Sequence, residues 1–321
     1  MSHKVFLTGA SGFVGSAILR RLVSDGTTVI AAVRQGNLAS SPLVRSVQFH
    51  SFEQENDWGG ALTECDVVIH SAARVHVMND TETDPLAAFR RVNVEGTLAL
   101  ARQAIAAGVK RFVFISSIKV NGEGTQPGKP YTANDTPQPQ DPYGISKLEA
   151  ETALQALARE SGLEVVIVRP VLVYGPGVKA NFLNMMRWLD RGIPLPFGAI
   201  HNRRSLVALD NLVDLVVTCM SHEAAANQVF LVSDGEDLST TELLRRMGQA
   251  LGRPARLLPV PAGLLSTGAK VLGKGSLSQR LCGSLQVDIN KTRDLLGWHP
   301  PVKVNTALQA AARHYQEYDK T

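Results

Sequence analysis

A glycine-rich turn between a short apolar segment and an amphipathic segment constrains the fold of this chain most strongly. Residues 5–8 are apolar and partly β-branched, which predicts a buried strand. The turn Gly9-Ala10-Ser11-Gly12-Phe13-Val14-Gly15 follows, and the next residues repeat apolar side chains at helical spacing. A strand, a glycine turn and a helix in this order are the context in which a helix N-terminus binds the diphosphate of a dinucleotide.

Each glycine of this turn has a predicted task. Gly9 allows the tight turn, Gly12 lets the backbone approach a diphosphate, and Gly15 lets the helix pack close to the strand. A glycine-rich turn without a ligand is the alternative, which the flanking strand and helix disfavour. The predicted cofactor contacts of the turn come from Gly9, Ser11, Gly12, Phe13, Val14 and Gly15.

Strand-like and helix-like segments alternate through the first half of the chain. The predicted strands cover residues 5–8, 28–33, 47–49, 67–70, 112–116 and 165–169, and the predicted helices cover residues 15–24, 84–107 and 143–161. This alternation predicts an α/β fold with a doubly wound parallel sheet of the Rossmann type. Two later strands are predicted at 205–208 and 229–232, and residues 122–141 form a long loop ahead of the third helix.

The rhythm changes from residue 171, which predicts a smaller C-terminal α/β lobe. We expect residues 1–170, with about 202–233, to form the nucleotide-binding domain. Residues 171–201 and 234–321 are expected to form a substrate-binding lobe.

Composition restricts the partners that we expect. The 321 residues are 44% apolar and 19% charged, with a net charge of +4 and no long run of Lys or Arg, so we expect no nucleic-acid partner. No apolar run approaches the ~20 residues of a membrane span, and the first strand begins too early for a signal peptide to precede it. The three cysteines are scattered without metal spacing, so we expect a cytoplasmic protein with no membrane and no metal partner.

Tyr143 and Lys147 are four residues apart, which places them on one face of a predicted helix. A lysine ammonium favours the phenolate of a neighbouring tyrosine, and such a phenol can exchange a proton with a hydroxyl or carbonyl oxygen near neutral pH. Pairs with this spacing also occur on solvated helix faces. The glycine turn favours the catalytic interpretation, because it predicts a cofactor for the tyrosine to serve.

The two motifs together, Gly-x-x-Gly-x-x-Gly and Tyr-x-x-x-Lys, resemble the extended branch of the short-chain dehydrogenase/reductase superfamily, which modifies nucleotide sugars. The resemblance covers nearly the whole chain. It implies that Tyr143 is the general acid–base, that Lys147 lowers its pKa and holds the nicotinamide ribose, and that Ser117 orients the substrate oxygen. It also implies that Asn93, a residue type mildly unfavourable inside a helix, supports the site from the lysine side. A non-catalytic NADPH-sensing module would lack the tyrosine or the lysine, so we disfavour it.

The end of the second predicted strand distinguishes the two nicotinamide cofactors. NAD-binding members carry Asp or Glu there, whereas this chain has Arg34, which can bind a 2′-phosphate. We therefore predict a preference for NADP(H), with NAD(H) as the alternative if Arg34 only faces solvent. Ser51 stands where the family has an adenine-binding Asp, and His70 is interpreted as a packed histidine. The resemblance implies further cofactor contacts from Ser51, Phe52, Ser71, Ala72, Ala73, Ser116, Arg169 and Pro170.

The resemblance also implies a substrate that carries a diphosphate. Asn181 is expected near that diphosphate, Arg204 is expected to pair with a phosphate, and Lys119 is expected near the sugar. A surface arginine is the alternative for Arg204. The predicted substrate-binding residues are Arg74, His76, Lys119, Asn181, Arg204 and Arg280.

The segment at 116–122, Ser-Ser-Ile-Lys-Val-Asn-Gly, resembles that of reductases that act on UDP-4-keto-6-deoxy-N-acetylhexosamines for O-antigen, a part of lipopolysaccharide. The leading prediction is therefore an NADPH-dependent 4-keto reductase. The alternative is a UDP-hexose or UDP-N-acetylhexosamine 4-epimerase with tightly bound NAD. Because the family commonly dimerises through the helices that hold Asn93 and Tyr143, a homodimer is expected.

Overall fold

The computed structural model describes residues 3–36, 38, 41–54, 56–75, 83–126, 128–271 and 281–319, without the side chains of residues 268–271 and 319. The strands in these residues are β1 (Lys4–Thr8), β2 (Thr28–Val33), β3 (Val44–Gln48), β4 (Val67–His70), β5 (Arg111–Ile115), β6 (Glu164–Pro170), β7 (Leu172–Tyr174), β8 (Arg204–Ala208), β9 (Val229–Val232) and β10 (Asp237–Leu238).

The α-helices in the same residues are α1 (Phe13–Ser24), α2 (Gly59–Leu62), α3 (Pro85–Arg90), α4 (Gly96–Ala106), α5 (Pro142–Ser161), α6 (Ala180–Asp190), α7 (Leu209–Ser221), α8 (Thr240–Ala250), α9 (Ala262–Val271), α10 (Asn290–Leu296) and α11 (Val304–His314). Within the described residues, no helix combines the length and the apolar character that crossing a membrane requires.

Seven strands form one parallel sheet in the order β3-β2-β1-β4-β5-β6-β9. Apolar residues of α1 and α7 pack against one face of this sheet, and those of α4 and α5 pack against the other. Burial on both faces explains why β2, β4 and β5 are nearly continuous apolar runs in the sequence. The strand order is that of a doubly wound dinucleotide-binding sheet, so the predicted fold class is confirmed.

Two predicted elements differ from the structure. The third strand is β3 at Val44–Gln48, an edge strand whose half-exposed, partly polar residues hide the apolar signal. The single helix predicted at 84–107 is divided into α3, a π-helical turn at Arg91–Glu95, and α4. π-Helical turns inside α-helices are frequent at functional sites, and this one contains the predicted site residue Asn93.

A second, smaller sheet has the order β10-β8-β7 and packs against α6, α8 and α11 through its own apolar cluster. The strand predicted at 205–208 is β8 and lies in this small sheet, whereas the strand predicted at 229–232 is β9, the edge of the main sheet beside β6. The expected division of the chain into two domains stays a prediction.

The loop ahead of α5 is held by a segment from the C-terminal third of the chain. Thr125 N donates to Ser284 O at 2.9 Å, and Tyr131 N donates to Gln286 O at 2.9 Å. Asp288 N donates back to Tyr131 O at 2.8 Å, and the same segment also pairs with β8. The chain entering α5 is therefore fixed by residues far away in sequence.

Candidate active site

The glycine turn has the geometry of a diphosphate cradle. Gly9 has a φ of +72°, and a Cβ atom there would lie 2.7 Å from Ala72 N. A Cβ atom at Gly15 would lie 2.0 Å from Gly9 O, so the start of α1 sits directly against the turn. Gly12 precedes α1 without any side-chain cap, and both Ser11 and Gly12 are exposed. The free N–H groups of this helix N-terminus can therefore donate hydrogen bonds to an anion, and the turn fits a dinucleotide diphosphate.

The other predicted cofactor residues follow neighbouring strands at the same edge of the sheet. Arg34 follows β2, beside β1, is exposed, and makes no hydrogen bond or ion pair with the described residues. Ser71 follows β4 and donates from Oγ to Thr8 O at 2.8 Å, with Ala72 and Ala73 next to it. Ser51 lies beyond β3, where its Oγ accepts from Glu53 N at 3.1 Å. The Phe52 ring is buried against other aromatic rings, which leaves only its backbone for a ligand.

Tyr143 and Ser117 come together where β5 and α5 meet. Asp141 caps α5 by accepting from Gly144 N at 2.7 Å, which fixes Tyr143 in the first helical turn. The side chain of Ser117 interacts with the Tyr143 hydroxyl. Burial raises the pKa of Tyr143 to about 12, the Asp141 charge adds to this, and the interaction with Ser117 opposes it. This direction is opposite to the lowering that the Tyr-x-x-x-Lys spacing predicted.

Lys147 is buried, with 1% of its surface exposed, and its Nζ lies 3.9 Å from the centre of the Phe114 ring. Burial lowers the pKa of Lys147 to about 7, and the nearby Glu151 carboxylate works against this shift. The predicted effect of Lys147 on Tyr143 is thus outweighed, because burial disfavours both an ammonium and a phenolate.

Ser116 and Arg169 belong to a buried polar cluster behind Lys147. Ser116 Oγ donates to Glu151 Oε1, and Arg169 forms an ion pair with Glu151, with Nη2 at 2.5 Å from Oε2. Arg169 Nη1 also donates to Asn121 Oδ1 at 3.0 Å. Because the side chains of Ser116 and Arg169 are bonded to Glu151 and Asn121, only the backbone of these two residues is left for a cofactor.

Asn93 is buried in the π-helical turn and binds two segments of the site. Its Oδ1 accepts from Arg74 N at 2.8 Å, and its Nδ2 donates to Arg74 O at 3.0 Å and to Ser146 Oγ at 3.0 Å. Ser146 directly precedes Lys147, so Asn93 contacts α5 next to the lysine, and its role in the site stays a prediction. A helical position with this many side-chain bonds explains the local departure from α-helical geometry.

Arg74 lies over the Phe89 ring, which in turn contacts Tyr143. Its guanidinium carbon lies 5.7 Å from the centre of the Phe89 ring, and that ring meets the Tyr143 ring edge-on at 5.9 Å. Lys119 is held by two carboxylates, because its Nζ donates to Asp141 and to Glu123 Oε1 at 2.9 Å. The lysine therefore links the segment after β5 to the cap of α5, which sequence reasoning did not foresee.

Two predicted substrate residues, Asn181 and Arg204, lie in or beside the smaller sheet. Asn181 is exposed in the first turn of α6, a helix without a side-chain cap whose first residue, Ala180, has a φ of +55°. A positive φ at a residue other than glycine is strained and often marks a functional site. Arg204 starts β8 and donates from Nη1 to Gly283 O at 3.0 Å. His76 and Arg280 lie outside the described residues.

Comparison with known proteins agrees with this geometry. Residues 5–233 match the model of the NAD dependent epimerase/dehydratase family. A UDP-glucose 4-epimerase from Vibrio cholerae is 49% identical over 317 residues, which are 98% of this chain and 96% of that protein. A GDP-6-deoxy-D-mannose reductase from Pseudomonas aeruginosa is 25% identical over 319 residues, which are 97% of this chain and 96% of the reductase.

Among solved structures, RMD from Pseudomonas aeruginosa complexed with NADPH has a TM-score of 0.73 at 22% identity, covering 98% of this chain and 100% of its own. This likeness shows the fold. Family model, relatives and geometry together show that the chain belongs to the NAD dependent epimerase/dehydratase family, as an enzyme of the extended short-chain dehydrogenase/reductase type whose relatives include both nucleotide-sugar epimerases and reductases.

Proposed function

We propose that the protein is an NADPH-dependent reductase of the 4-keto group of a UDP-linked 4-keto-6-deoxy-N-acetylhexosamine. The observation that carries this proposal is the interacting pair of Ser117 and Tyr143 at the edge of the sheet where the cofactor turn lies. Reduction requires a proton donor beside the ketone. A tyrosine is protonated at neutral pH, and burial raises the pKa of Tyr143 further, to about 12.

The residues of this chain supply the proton and the orientation. A bound nicotinamide supplies hydride chemistry. The ketone oxygen accepts hydrogen bonds from the Ser117 and Tyr143 hydroxyls, and it takes the Tyr143 proton as C4 becomes an alcohol carbon. Lys147 contributes positive charge near the resulting phenolate, and Asn93 holds α5 against the segment after β4.

Arg34 supports NADP(H) over NAD(H). It is exposed at the end of the strand beside the glycine turn, and no carboxylate occupies its position. A guanidinium there can bind the 2′-phosphate that distinguishes the two cofactors. NAD(H) is the alternative, in agreement with the name of the family.

The smaller sheet and the helix α6 beside it supply the features of a diphosphate site. The uncapped N-terminus of α6 with the exposed Asn181 can donate hydrogen bonds to an anion, and Arg204 adds positive charge on β8. The UDP moiety follows from the resemblance of the chain to UDP-sugar enzymes. Arg74, whose guanidinium lies over the Phe89 ring that contacts Tyr143, is placed to recognise the sugar.

A 4-epimerase is the second candidate, and the 49% identity with the UDP-glucose 4-epimerase of Vibrio cholerae favours it. Epimerisation uses the same Ser117 and Tyr143, but first takes a proton from the C4 hydroxyl. It therefore needs Tyr143 ionised when oxidation begins. No net change in the cofactor remains after a full turnover.

One experiment distinguishes the two reactions. The purified protein is mixed with NADPH and a UDP-4-keto-6-deoxy-N-acetylhexosamine, and absorbance at the reduced-nicotinamide band is recorded. The reductase consumes NADPH in proportion to product. Constant absorbance, together with interconversion of UDP-N-acetylglucosamine or UDP-glucose with its C4 epimer, would replace the reductase by the epimerase.

A further inference from the structure

His70, the last residue of β4, is a buried histidine that the proposed reaction does not use. Its Nδ1 lies 2.7 Å from Thr8 Oγ1, and its Nε2 lies 2.9 Å from Thr97 Oγ1. The ring also stacks on Phe114 at 5.8 Å. Burial and the Lys147 charge lower the pKa of His70 to about 3, which keeps the imidazole neutral.

The neighbouring hydroxyls fix the tautomer of this imidazole. Thr97 Oγ1 donates its proton to Asn93 O at 2.8 Å, so it accepts from a proton on His70 Nε2. Nδ1 of His70 is then an acceptor, and Thr8 Oγ1 donates to it. The backbone N–H of Ala72 donates to Thr8 Oγ1 at 3.3 Å, so every donor in the series has an acceptor.

The series continues into the catalytic helix. Asn93 Nδ2 donates to Ser146 Oγ at 3.0 Å, and Ser146 Oγ donates to Tyr143 O at 2.8 Å. Its first member, Thr8, immediately precedes the glycine turn. A series of hydrogen bonds, joined at Asn93 through that residue's own covalent bonds, thus runs through the buried interior from the cofactor turn to Tyr143.

We propose that His70 is a positioning residue for the reaction: its imidazole fixes the glycine turn and the Tyr143 end of α5 at one mutual distance. Apolar contacts between these elements allow small sliding. A buried series of hydrogen bonds allows one register, because each shifted member would leave a buried polar group unpaired. Since this role needs Tyr143 as proton donor, it rests on the proposed function.

The test removes the link between His70 and Asn93 without changing the size of the side chain. In Thr97→Val, we expect kcat to fall about tenfold or more, with KM for NADPH and for the sugar changed less than about twofold. The isotope effect of NADPH deuterated at the transferred position rises, because hydride transfer becomes slower. Thr97→Ser keeps the hydroxyl and restores kcat. The control is Thr218→Val, which removes the bond from Thr218 Oγ1 to Asp214 O in α7 and leaves kcat unchanged.

If the series only stabilised the fold, the variants would change thermal stability rather than kcat. Wild-type kcat in Thr97→Val, or loss of thermal stability with no rescue of kcat by Thr97→Ser, would overturn the positioning role. Imidazole ¹⁵N–¹H NMR of the cofactor-loaded protein reports on His70 without turnover, and a slowly exchanging proton on Nε2 is expected. A proton on Nδ1 overturns the inference even in an active enzyme. The expected Nε2 signal in a protein that never turns over a nucleotide sugar overturns the proposed function instead.

Discussion

Lys147 carries its ammonium into a site where only 1% of the residue is exposed, against an aromatic ring. Its pKa falls from the ordinary value of 10.5 to about 7 because burial disfavours the charge. Between these two pH values the unfolded chain binds more protons than the folded one. Lys147 therefore lowers the free energy of unfolding by its full amount below pH 7, and this loss becomes progressively smaller as the pH rises towards 10.

Lys147→Met should consequently raise the melting temperature while abolishing activity. The gain should be larger at pH 7 than at pH 9.5, because the folded lysine is neutral above pH 7 and the cost of releasing its proton falls as the pH approaches 10.5. Thermal unfolding followed by circular dichroism at the two pH values measures this. A melting temperature that falls at both values would show that Lys147 stabilises the fold through its contacts.

Tyr143→Phe removes the proton donor and keeps the ring against Phe89. We expect kcat to fall by roughly 10²–10⁴-fold, while the affinity for NADPH, measured by fluorescence titration, stays near that of the wild type. Tyr318→Phe is the matched control, because Tyr318 is 71% exposed. Full activity in Tyr143→Phe would remove this residue from the catalytic assignment.

Arg34→Asp places a carboxylate where a 2′-phosphate would bind. The ratio of kcat/KM with NADPH to kcat/KM with NADH should drop about tenfold or more, because a charge-assisted hydrogen bond is replaced by repulsion. Steady-state kinetics with both cofactors gives this ratio. Arg159→Asp, in the exposed last turn of α5, is the control. An unchanged ratio in Arg34→Asp would separate Arg34 from cofactor choice.

At the scale of elements, α5 organises the site, and a buried ion pair fixes its position. Glu151, one turn after Lys147, pairs with Arg169 at the end of β6 and accepts from Ser116 at the end of β5. The pair is 2–5% exposed, so its charges depend on each other. Removing one partner leaves an uncompensated buried charge.

Glu151→Gln should therefore destabilise the protein by about 3–5 kcal/mol. The double variant Glu151→Met with Arg169→Met should recover most of this loss, because no buried charge then remains. Glu149 lies on the same helix as Glu151 and forms a half-exposed ion pair with Arg90 of α3. Glu149→Gln breaks this pair and should cost less than about 1 kcal/mol. Denaturant unfolding of the variants measures these differences, and equal losses at Glu151 and Glu149 would contradict the distinction.

Elements whose signal is local could be predicted from the sequence. The glycine turn, β2, β4 and β9 lie where they were expected, because turn chemistry and apolar runs are properties of neighbouring residues. Parallel strands bring their carboxyl ends to one edge, so the strand ends at Arg34, Ser71 and Ser117 could be placed along that edge. The roles of these residues stay predictions.

Contacts between distant segments could not be predicted in this way. The partner of Glu151 is 18 residues away, and the carboxylate of Asp141 that binds Lys119 is 22 residues away. The resemblance implies that Lys119 lies near the sugar, which stays a prediction, and no sequence pattern reveals that this lysine has two carboxylate partners. The π-helical turn has the same origin, since the bonds of Asn93 reach Arg74 and Ser146 in other elements.

At the scale of the whole molecule, we expect a homodimer that forms through α4 and α5. Leu148 and Thr152 lie one turn apart on α5, on the face that is turned away from the sheet. Sedimentation equilibrium should give twice the 34.6 kDa of the chain. Leu148→Arg should reduce it to a monomer, whereas Leu295→Arg, at a leucine of α10 that is 41% exposed, should not. A wild-type monomer would remove this expectation.

The segment around residues 284–288, which holds the loop ahead of α5, has a consequence for how the enzyme matures on the ribosome. The glycine turn and the first six strands of the main sheet are encoded in residues 4–170, so a nascent chain can build its cofactor cradle early. The loop that leads to Tyr143 acquires its backbone bonds to residues 284–288 only after more than a hundred further residues have emerged. A newly synthesised chain thus has the means to form its cofactor cradle well before the loop ahead of Tyr143 is fully held.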